Sequence, residues 1–371
     1  MFNINYQKGR LMFIKRILIA SITLIYFTTN LFAAEVNFQG KTVRWLVPFA
    51  VGGGSDKWAR YYGPLLSKNL PGKPNVIIEN CPGGGSITCT NQFAAMPPGD
   101  GLTILGDSGS TKFPFLLDDP RVKYNYNDWI KTVVLVSPTG GVTYVSPSTG
   151  YKSTADFQKL KTADLKFGSQ GATSLDLIPM IAYEILGLKV KHVFGMTGRG
   201  DGRLAFERGD ANLDYQTSSA YLKVEETLVK EGKAIPLFSW GIVNPDGSIS
   251  RDPTFPKLPH FVEYYELVHG KKPSGPAFDA YKAFLGSGFS AQKMVFLPKG
   301  TSPEIVKAYR DTFTKIVNSP EHKASDNEEI GKYIQVSGVN SEAVLKNTIA
   351  VNAQAKEWLR KYLSDNYQVK F

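Results

Sequence analysis

The stretch TVRWLVPFAVGGGSD, residues 42–56, indicates the fold class of the chain. Its first six residues form a short apolar run that Pro48 ends, as expected of a buried β-strand. A glycine-rich loop follows, and from Trp58 onward apolar residues recur at the spacing of one helix face, with Ser55 placed to cap the helix. A strand, a loop and a helix in this order are typical of α/β proteins, and we therefore expect an α/β fold.

The same order of strand, loop and helix recurs farther along the chain. A strand at 75–79 precedes the glycines at 83–85 and a second helix, and a third strand at 102–105 ends in the polar segment 106–110. In the middle of the chain, the segment GSQGATS at 168–174 separates another strand from another helix. These units, in a chain of 371 residues, are enough for two domains with separate cores.

Two further apolar segments, 132–136 and 294–297, are interpreted as crossings between the two domains. Both crossings would join a middle lobe to a lobe made of the N-terminal and C-terminal parts of the chain. We therefore predict that residues 35–137 and 293–371 form lobe 1 and that residues 138–292 form lobe 2.

The N-terminal leader is typical of a secretory signal peptide. Positively charged residues precede an apolar run at 17–27, and the small residues Ala33 and Ala34 follow a few positions later. We expect residues 1–34 to be a signal peptide that is cleaved near Ala33 or Ala34, so that the mature chain is exported. A retained membrane anchor is the alternative, but the apolar run is short for a span and is diluted by Ser21 and Thr23 within it and by Thr28 and Thr29 directly after it.

Charge and residue spacing argue against several classes of function. Lys and Arg number 43 against 33 Asp and Glu, but the surplus is spread along the chain without a basic block, so nucleic-acid binding is not expected. The four histidines are scattered at no ligand spacing, so neither a metal ion nor another cofactor is expected. No GxxxxGK[ST] segment occurs, which argues against a P-loop nucleotide site.

The two cysteines, Cys81 and Cys89, flank a glycine-rich loop. An oxidising compartment outside the cytoplasm permits a disulfide between them. Two buried free thiols are the alternative, because cysteine is among the most buried residues. The sequence leaves both alternatives open.

The glycine-rich and serine-rich loops indicate where a ligand would bind. In α/β sheets, ligands bind beyond the carboxyl ends of strands, where helix N-termini present unpaired N–H groups and favour an anion. The loops at 52–55 and 168–174 offer this chemistry from the two predicted lobes. Glycines that are needed only for turn geometry are the alternative.

Six segments, in order along the chain, resemble motifs of the Bug or TctC type of periplasmic substrate-binding proteins, which serve tripartite tricarboxylate transporters. The resemblance extends from about residue 40 to the C-terminus. The segments are VPFAVGGGSD at 47–56, ENCPGGG at 79–85, PPGDGLTIL at 97–105, FGSQG at 167–171, RGDANLD at 208–214 and PKGTSP at 298–303.

This resemblance implies a two-lobed periplasmic-binding-protein fold of the Venus flytrap, type II-like class, with two crossover strands. It implies a monomeric, non-catalytic receptor in the periplasm that captures a small organic anion, a mono-, di- or tricarboxylate. The receptor would deliver this anion to the membrane permease subunits of a tripartite tricarboxylate transporter. A sensor subunit that presents ligand to a two-component system is one alternative, and a secreted serine hydrolase that uses Ser108 is another. The hydrolase requires a base histidine, and the first histidine, His192, lies far downstream of Ser108.

The resemblance implies ligand-binding residues at thirteen positions of this sequence, and Arg199 is added as a fourteenth. Arg199 comes from a segment that is longer than the family pattern and also contains Arg203, and either arginine could meet a second carboxylate of the ligand. The predicted ligand-binding residues are Phe49, Gly53, Gly54, Ser55, Asp56, Asp107, Ser108, Ser110, Ser169, Gln170, Gly171, Thr173, Arg199 and Asp214.

Overall fold

A computed structural model describes residues 36–244 and 247–371, without the side chains of 325–328. The predicted signal peptide, residues 1–34, lies outside the described residues. Each helix of the described ranges is too short or too polar to cross a membrane.

The strands form two main sheets and one short two-stranded ribbon. The strands are β1 (Thr42–Val47), β2 (Asn75–Asn80), β3 (Thr103–Ser108), β4 (Val133–Ser137), β5 (Gly141–Val145), β6 (Leu165–Ser169), β7 (Val190–Phe194), β8 (Leu213–Thr217), β9 (Ile235–Ser239), β10 (Ile242–Val243), β11 (Ile249–Ser250), β12 (Lys293–Phe296) and β13 (Val336–Ser337).

Helices follow most of these strands, as the sequence predicts for an α/β fold. The α-helices are α1 (Gly54–Asn69), α2 (Ile87–Ala94), α3 (Gly109–Leu116), α4 (Phe157–Thr162), α5 (Leu177–Ile185), α6 (Arg199–Arg208), α7 (Ser218–Val224), α8 (Phe261–His269), α9 (Pro276–Phe289), α10 (Pro303–Asn318), α11 (Pro320–Glu329), α12 (Asn340–Ile349) and α13 (Ala353–Tyr367).

The first sheet has six strands in the order β13-β4-β12-β3-β1-β2. β1 pairs in parallel with β2 and β3, whereas β12 runs antiparallel between β3 and β4. Because parallel neighbours end at the same edge of a sheet, the turns after β1 and β3 lie near each other and lead into α1 and α3.

The second sheet has five strands in the order β7-β6-β8-β5-β9. β6 pairs in parallel with β7 and β8, and β5 runs antiparallel between β8 and β9. β6 leads into the loop before α5, and β8 leads directly into α7. Strand-to-helix turns of this lobe therefore also lie at one edge of its sheet.

β4 and β12 lie side by side in the first sheet, at the two points where the chain passes between the sheets. After β4, three residues lead to β5 of the second sheet, and β12 brings the chain back after α9. The predicted crossings at 132–136 and 294–297 coincide with these strands. The predicted two-lobed α/β fold is confirmed.

Two details differ from the predictions. The third strand does not end at residue 105 as predicted, because β3 continues through the polar segment to Ser108 and α3 begins at the next residue. The C-terminal helix α13 was expected to belong to lobe 1, but Tyr367 at its end packs against the rings of His192 and Phe194 on β7. The apolar face of α13 is buried in the core that contains α5 and α9, so this helix packs on the second lobe.

Candidate functional site

A cavity of about 20 Å³ lies at the carboxyl ends of β1, β3 and β8, and both lobes contribute to its wall. A space of this size admits about one water molecule, so a small organic ligand requires the two lobes to move apart. Eight of its lining residues are among the fourteen predicted ones. The lining residues are Phe49, Gly53, Gly54, Ser55, Ser108, Ser110, Gln170, Leu175, Arg199, Thr217 and Gln292.

The N-terminus of α1 supplies hydrogen-bond donors to this cavity. α1 begins at Gly54 after the cap residue Gly53, and no side chain caps its first turn. The N–H groups of a first turn have no acceptor within the helix, and the helix dipole adds partial positive charge there. Ser55, half-buried in the cavity wall, adds a hydroxyl. This end of α1 is therefore suited to an anion.

Asp56, also predicted as a ligand-binding residue, lies behind the loop and not in the cavity wall. Its Oδ2 accepts a hydrogen bond from the backbone N of Gly52 at 2.9 Å, and its Oδ1 accepts one from Nε of Arg60 at 2.9 Å. Gly52 has a φ of 85°, a left-handed conformation that favours glycine. Asp56 thus holds the glycine loop in shape.

Glycines 53, 54 and 200 allow the two lobes to come into contact. A Cβ atom on Gly54 would lie 2.0 Å from Oγ1 of Thr217 in the other lobe, far inside van der Waals contact. A Cβ atom on Gly200 would lie 2.9 Å from the carbonyl oxygen of Val51. The observed approach of the lobes therefore requires glycine at these positions.

In the second lobe, Asp176 accepts the hydrogen bonds that were predicted for the ligand. The hydroxyl of Ser169 donates to its Oδ2 at 3.0 Å, and the backbone N of Gln170 donates to the same oxygen at 2.7 Å. The backbone N of Gly171 donates to Oγ of Ser169 at 3.2 Å. Asp176 is fully buried and is a residue that the sequence analysis missed. Ser169 and Gly171 therefore belong to the support of the loop and do not line the cavity.

Gln170 connects the two lobes and retains a free donor. Its Oε1 accepts a hydrogen bond from the hydroxyl of Ser110 at 3.2 Å, and the same hydroxyl accepts one from the backbone N of Leu175 at 3.3 Å. Its Nε2 is buried and has no hydrogen-bond partner among the described residues. A buried N–H group without an acceptor is unfavourable, so a ligand oxygen at this position would be stabilised.

Arg199 lines the cavity, but acidic groups of the protein already balance its charge. It is 6% exposed, and its guanidinium pairs with Asp176 and Asp214. Its Nη1 also donates to the carbonyl oxygen of Gly168 at 2.6 Å. Burial lowers the pKa of Arg199, but the neighbouring carboxylates outweigh burial and raise the pKa above its ordinary value. This arrangement leaves no unbalanced charge on Arg199 for a second ligand carboxylate, and the side chain of Arg203 pairs with Glu207.

Asp214 lies beneath Arg199 and away from the cavity wall. Burial raises the pKa of Asp214, and the pairing with Arg199 and the hydroxyl of Tyr144 opposes that rise. Gln216 Nε2 also donates to its Oδ2 at 2.9 Å. Asp214 therefore orients Arg199 from within the second lobe.

Asp107 and Thr173 are the other predicted residues outside the cavity wall. Asp107 is fully buried and accepts a hydrogen bond from the hydroxyl of Tyr126, and burial raises its pKa to about 7. Thr173 Oγ1 donates to Oδ2 of Asp119 at 3.0 Å, which joins the second lobe to the first. Both residues thus support the site indirectly.

Leu175, Thr217 and Gln292 line the cavity and were missed. Thr217 is the last residue of β8, directly before α7, so the rule that found Ser55 could have found it as well. Gln292 directly precedes β12, one of the two crossing strands. Leu175 lies in a loop and carries no sequence signal of this kind.

Ser108, the residue of the hydrolase alternative, caps a helix. Its Oγ accepts a hydrogen bond from the backbone N of Ser110 at 3.1 Å. His192 instead packs against Phe167 and Phe194, and burial lowers its pKa to about 4. Within the described ranges, no group of three or more His, Cys, Asp and Glu side chains is arranged to hold a metal ion.

The two cysteines form a disulfide, which was one of the two alternatives left open. The bond joins the end of β2 to α2 and encloses the glycines at 83–85. A Cβ atom on Gly85 would lie 3.8 Å from the carbonyl oxygen of Gln170, so this loop lies close to the second lobe beside the site.

Two curated proteins are similar to the chain along most of its length, and no family model matches it. One is described as a UPF0065 protein in the tcbD-tcbE intergenic region of Pseudomonas sp. strain P51; it is 25% identical over 313 residues, which covers 83% of each chain. The other is described as a UPF0065 protein in the gbd 5' region of Cupriavidus necator; it is 24% identical over 295 residues, which covers 78% of each chain.

Several solved structures share the fold of this chain. The periplasmic binding protein BugD has a TM-score of 0.64 and 18% identity, with 87% of this chain and 97% of BugD covered. MatC from Rhodopseudomonas palustris with bound malate has a TM-score of 0.63 and 18% identity, with 86% and 98% covered. A second R. palustris protein, with adipate, has a TM-score of 0.64 and 18% identity, with 87% and 96% covered. The resemblance is confirmed, and the chain has the two-lobed α/β fold of periplasmic binding proteins of the Bug and TctC type.

Proposed function

We propose that this protein is a periplasmic solute-binding receptor that captures a small organic carboxylate between its two lobes. The observation that carries the proposal is the cavity where the N-terminus of α1 and the free Nε2 of Gln170 meet from opposite lobes. One carboxylate oxygen would accept from the N–H groups of Gly54 and Ser55, and the other would accept from Gln170.

The electrostatics of the site favour a single negative charge there. A helix N-terminus stabilises an anion by about 0.3–1 kcal/mol at an exposed site and by about 2 kcal/mol in a partly buried one. α6 also begins at this point, since a Cβ atom on Gly53 would lie 3.3 Å from the backbone N of Gly200. Two helix N-termini from different lobes thus meet at the cavity, and an anion between them would favour the closed arrangement.

The structural neighbours support the carboxylate as ligand class. MatC was solved with malate and another R. palustris neighbour with adipate, and both share the fold of this chain. From the resemblance of its sequence motifs to Bug and TctC receptors, we also propose that the protein acts as a monomer and delivers its ligand to the permease subunits of a tripartite tricarboxylate transporter. We propose that its role is binding without catalysis, since His192, the first histidine after Ser108, is packed against Phe167 and Phe194 and not hydrogen-bonded to Ser108 among the described residues.

Calorimetric titration with malate, adipate, hexanoate and the uncharged diamide adipamide tests the proposal. We expect saturable one-to-one binding of at least one carboxylate, no binding of the diamide and no product after incubation. Gln170→Leu should lower the affinity about tenfold, because it removes a hydrogen bond to a charged group. The exposed Gln158→Leu is the matched control and should bind as the wild type does. Equal affinity in both variants, or turnover of the carboxylate, would contradict the proposal.

A further inference from the structure

Lys293 is a buried cation without an acidic partner among the described residues. It is 1% exposed, and its Nζ donates to Oε1 of Gln292 at 2.6 Å. The other fully buried lysine, Lys112, donates to two backbone carbonyl oxygens at 2.8 and 3.0 Å and has the charge of Asp107 nearby. The two buried lysines therefore differ in how their charges are balanced.

The position of Lys293 in the sheet directs its side chain toward the ligand cavity. Lys293 lies directly opposite Ser108 in the antiparallel pair of β12 and β3. Residues opposite each other in such a pair point to the same face of the sheet, with Cβ atoms about 5 Å apart. Ser108 lines the cavity, and so does Gln292, whose side-chain oxygen accepts from the lysine. The ammonium group is therefore hydrogen-bonded directly to a residue of the cavity wall.

A second cavity, of about 10 Å³, surrounds the lysine. Both lobes contribute to it, since Trp58 comes from α1 and Ser219 from α7. The hydroxyl of Ser219 donates to the carbonyl oxygen of Gly54, which lines the ligand cavity, so residues that line the two cavities are in direct contact. Its lining residues are Trp58, Ser137, Pro138, Thr139, Ser219, Lys293, Ile330 and Gln335.

Thr139 provides a second polar group in this cavity. Its Oγ1 is buried and makes no hydrogen bond within the described part of the chain. An ammonium group with one neutral partner and a hydroxyl with none are both unfavourable in a protein interior. A single anionic group between them would satisfy both at once.

The burial of Lys293 reduces the stability of the unliganded protein. Burial alone lowers its pKa to about 7, and no neighbouring carboxylate opposes that shift. Groups that reduce stability are commonly retained at functional sites, where a ligand compensates for them.

We infer that Lys293, together with Thr139, binds the second acidic group of a dicarboxylate whose first carboxylate lies at the N-terminus of α1. The inference rests on the proposed function and assigns to Lys293 the preference for ligands with two acidic groups. Arg199, which the sequence suggested for that role, is already paired with Asp176 and Asp214. The ligand would span both cavities and hold the lobes together at two points.

Titration of Lys293→Met with matched ligand pairs tests this assignment. The pairs are succinate with butyrate, glutarate with valerate, and adipate with hexanoate, so that each pair differs by one carboxylate. We expect Lys293→Met to lower the affinity for the preferred dicarboxylate about 30-fold, while the affinity for its monocarboxylate partner changes less than about threefold. Lys68→Met removes the same charge from the exposed surface of α1 and should change neither affinity.

Thr139→Val provides a second, independent variant that removes a hydroxyl without a hydrogen-bond partner. We expect it to fold normally and to lower only the dicarboxylate affinity, by about three- to tenfold. If both variants bind the dicarboxylate as the wild type does, or if the wild type binds both members of each pair equally, the assignment of Lys293 is wrong while the proposed function stands. If the wild type binds none of the six acids, the proposed function itself fails, and this inference fails with it.

Discussion

The two glycine- and serine-rich loops at the site have similar sequences but different hydrogen bonding. The loop before α1 leads into the N-terminus of that helix, and no side chain caps the first turn. In the loop after β6, the backbone N of Gln170 and the hydroxyl of Ser169 already donate to Asp176. The comparison shows that a carboxylate of the protein itself can accept the hydrogen bonds that such a loop would otherwise offer to an anion. Here that carboxylate is Asp176, seven residues after Ser169. Only the first loop offers its backbone donors to a ligand, and the second lobe contributes a side chain, Gln170.

The buried cations Arg199 and Lys293 likewise differ in whether acidic groups of the protein already pair with them. Arg199 of the second lobe is paired with two acids of its own lobe, and rings of Phe167 and Tyr215 stack on its guanidinium. Lys293 of the first lobe has one neutral partner. The buried cation of the second lobe is thus balanced by acids of its own lobe, whereas Lys293, a buried cation of the first lobe, has no acidic partner among the described residues.

The largest expected effect concerns the buried ion pairs of the second lobe, in which Asp176 and Asp214 balance the charge of Arg199. Asp176→Ala should lower the free energy of unfolding by about 3–5 kcal/mol, because it leaves Arg199 and several donors without their partner. Denaturant titration measures this change, and Asp164→Ala, which removes an exposed acid of the same lobe, is the control. A loss below about 1 kcal/mol would show that Asp176 does not occupy the loop as described.

The next effect concerns the contact between the lobes. Gly54→Ala places a methyl group 2.0 Å from Oγ1 of Thr217 and should lower carboxylate affinity about 100-fold, because the lobes are then held too far apart for donors of both lobes to reach one carboxylate. Stability should not fall, since alanine favours a helix over glycine. In Gly63→Ala on the same helix, the added methyl group meets side-chain atoms of Ile78 and Val76 at 3.2 Å or more, and this variant should bind normally.

A double variant sharpens this test. Adding Thr217→Ala to Gly54→Ala removes the clashing hydroxyl and should restore part of the affinity. Calorimetry with the preferred carboxylate measures each variant. Wild-type affinity in Gly54→Ala alone would mean that the ligand binds without the lobe contact seen here.

A smaller effect concerns the pH dependence of the unliganded protein. The pKa of Lys293 is about 7 in the folded chain and near 10.5 in the unfolded chain, so the unfolded chain binds more protons between these values. Lys293 therefore makes stability rise with pH across this window, by at most about 1.4 kcal/mol per pH unit. Lys112, with a pKa of about 8, acts in the same direction. Lys293→Met should flatten the rise and increase stability at pH 7, and an unchanged slope in denaturant titrations from pH 7 to 10 would contradict this.

The sequence was sufficient to predict the fold, because apolar runs and glycine loops mark β1, β2 and β3 directly. It also predicted the glycine loop and the helix α1 that line the cavity in the first lobe, but Ser55, predicted as the helix cap, lies in the first turn after the cap residue Gly53. The roles of Ser169 and Arg199 could not be predicted in the same way. Asp176 and Asp214 reach them only after the second lobe has folded, and nothing in the local sequence shows which donors are already used.

Lys293 illustrates the same limit. As an isolated lysine at the start of a short apolar run it carries no sequence signal, and its burial depends on packing against Trp58, Ser137 and Ser219. The C-terminal helix is a further case. Its apolar face predicts burial, but which lobe buries it is decided by contacts such as that of Tyr367 with His192.

The most direct test of the central claim compares two serines in the two loops. Ser55→Ala and Ser169→Ala are each titrated calorimetrically with the preferred carboxylate and unfolded in denaturant. We expect Ser55→Ala to lower the affinity about tenfold with little change in stability, because it removes a donor to the ligand. Ser169→Ala should keep the affinity within about threefold and lower stability by about 1–2 kcal/mol, because it removes a hydrogen bond to Asp176. Wild-type affinity in Ser55→Ala, or a larger loss of affinity in Ser169→Ala, would contradict the binding of the carboxylate at the N-terminus of α1.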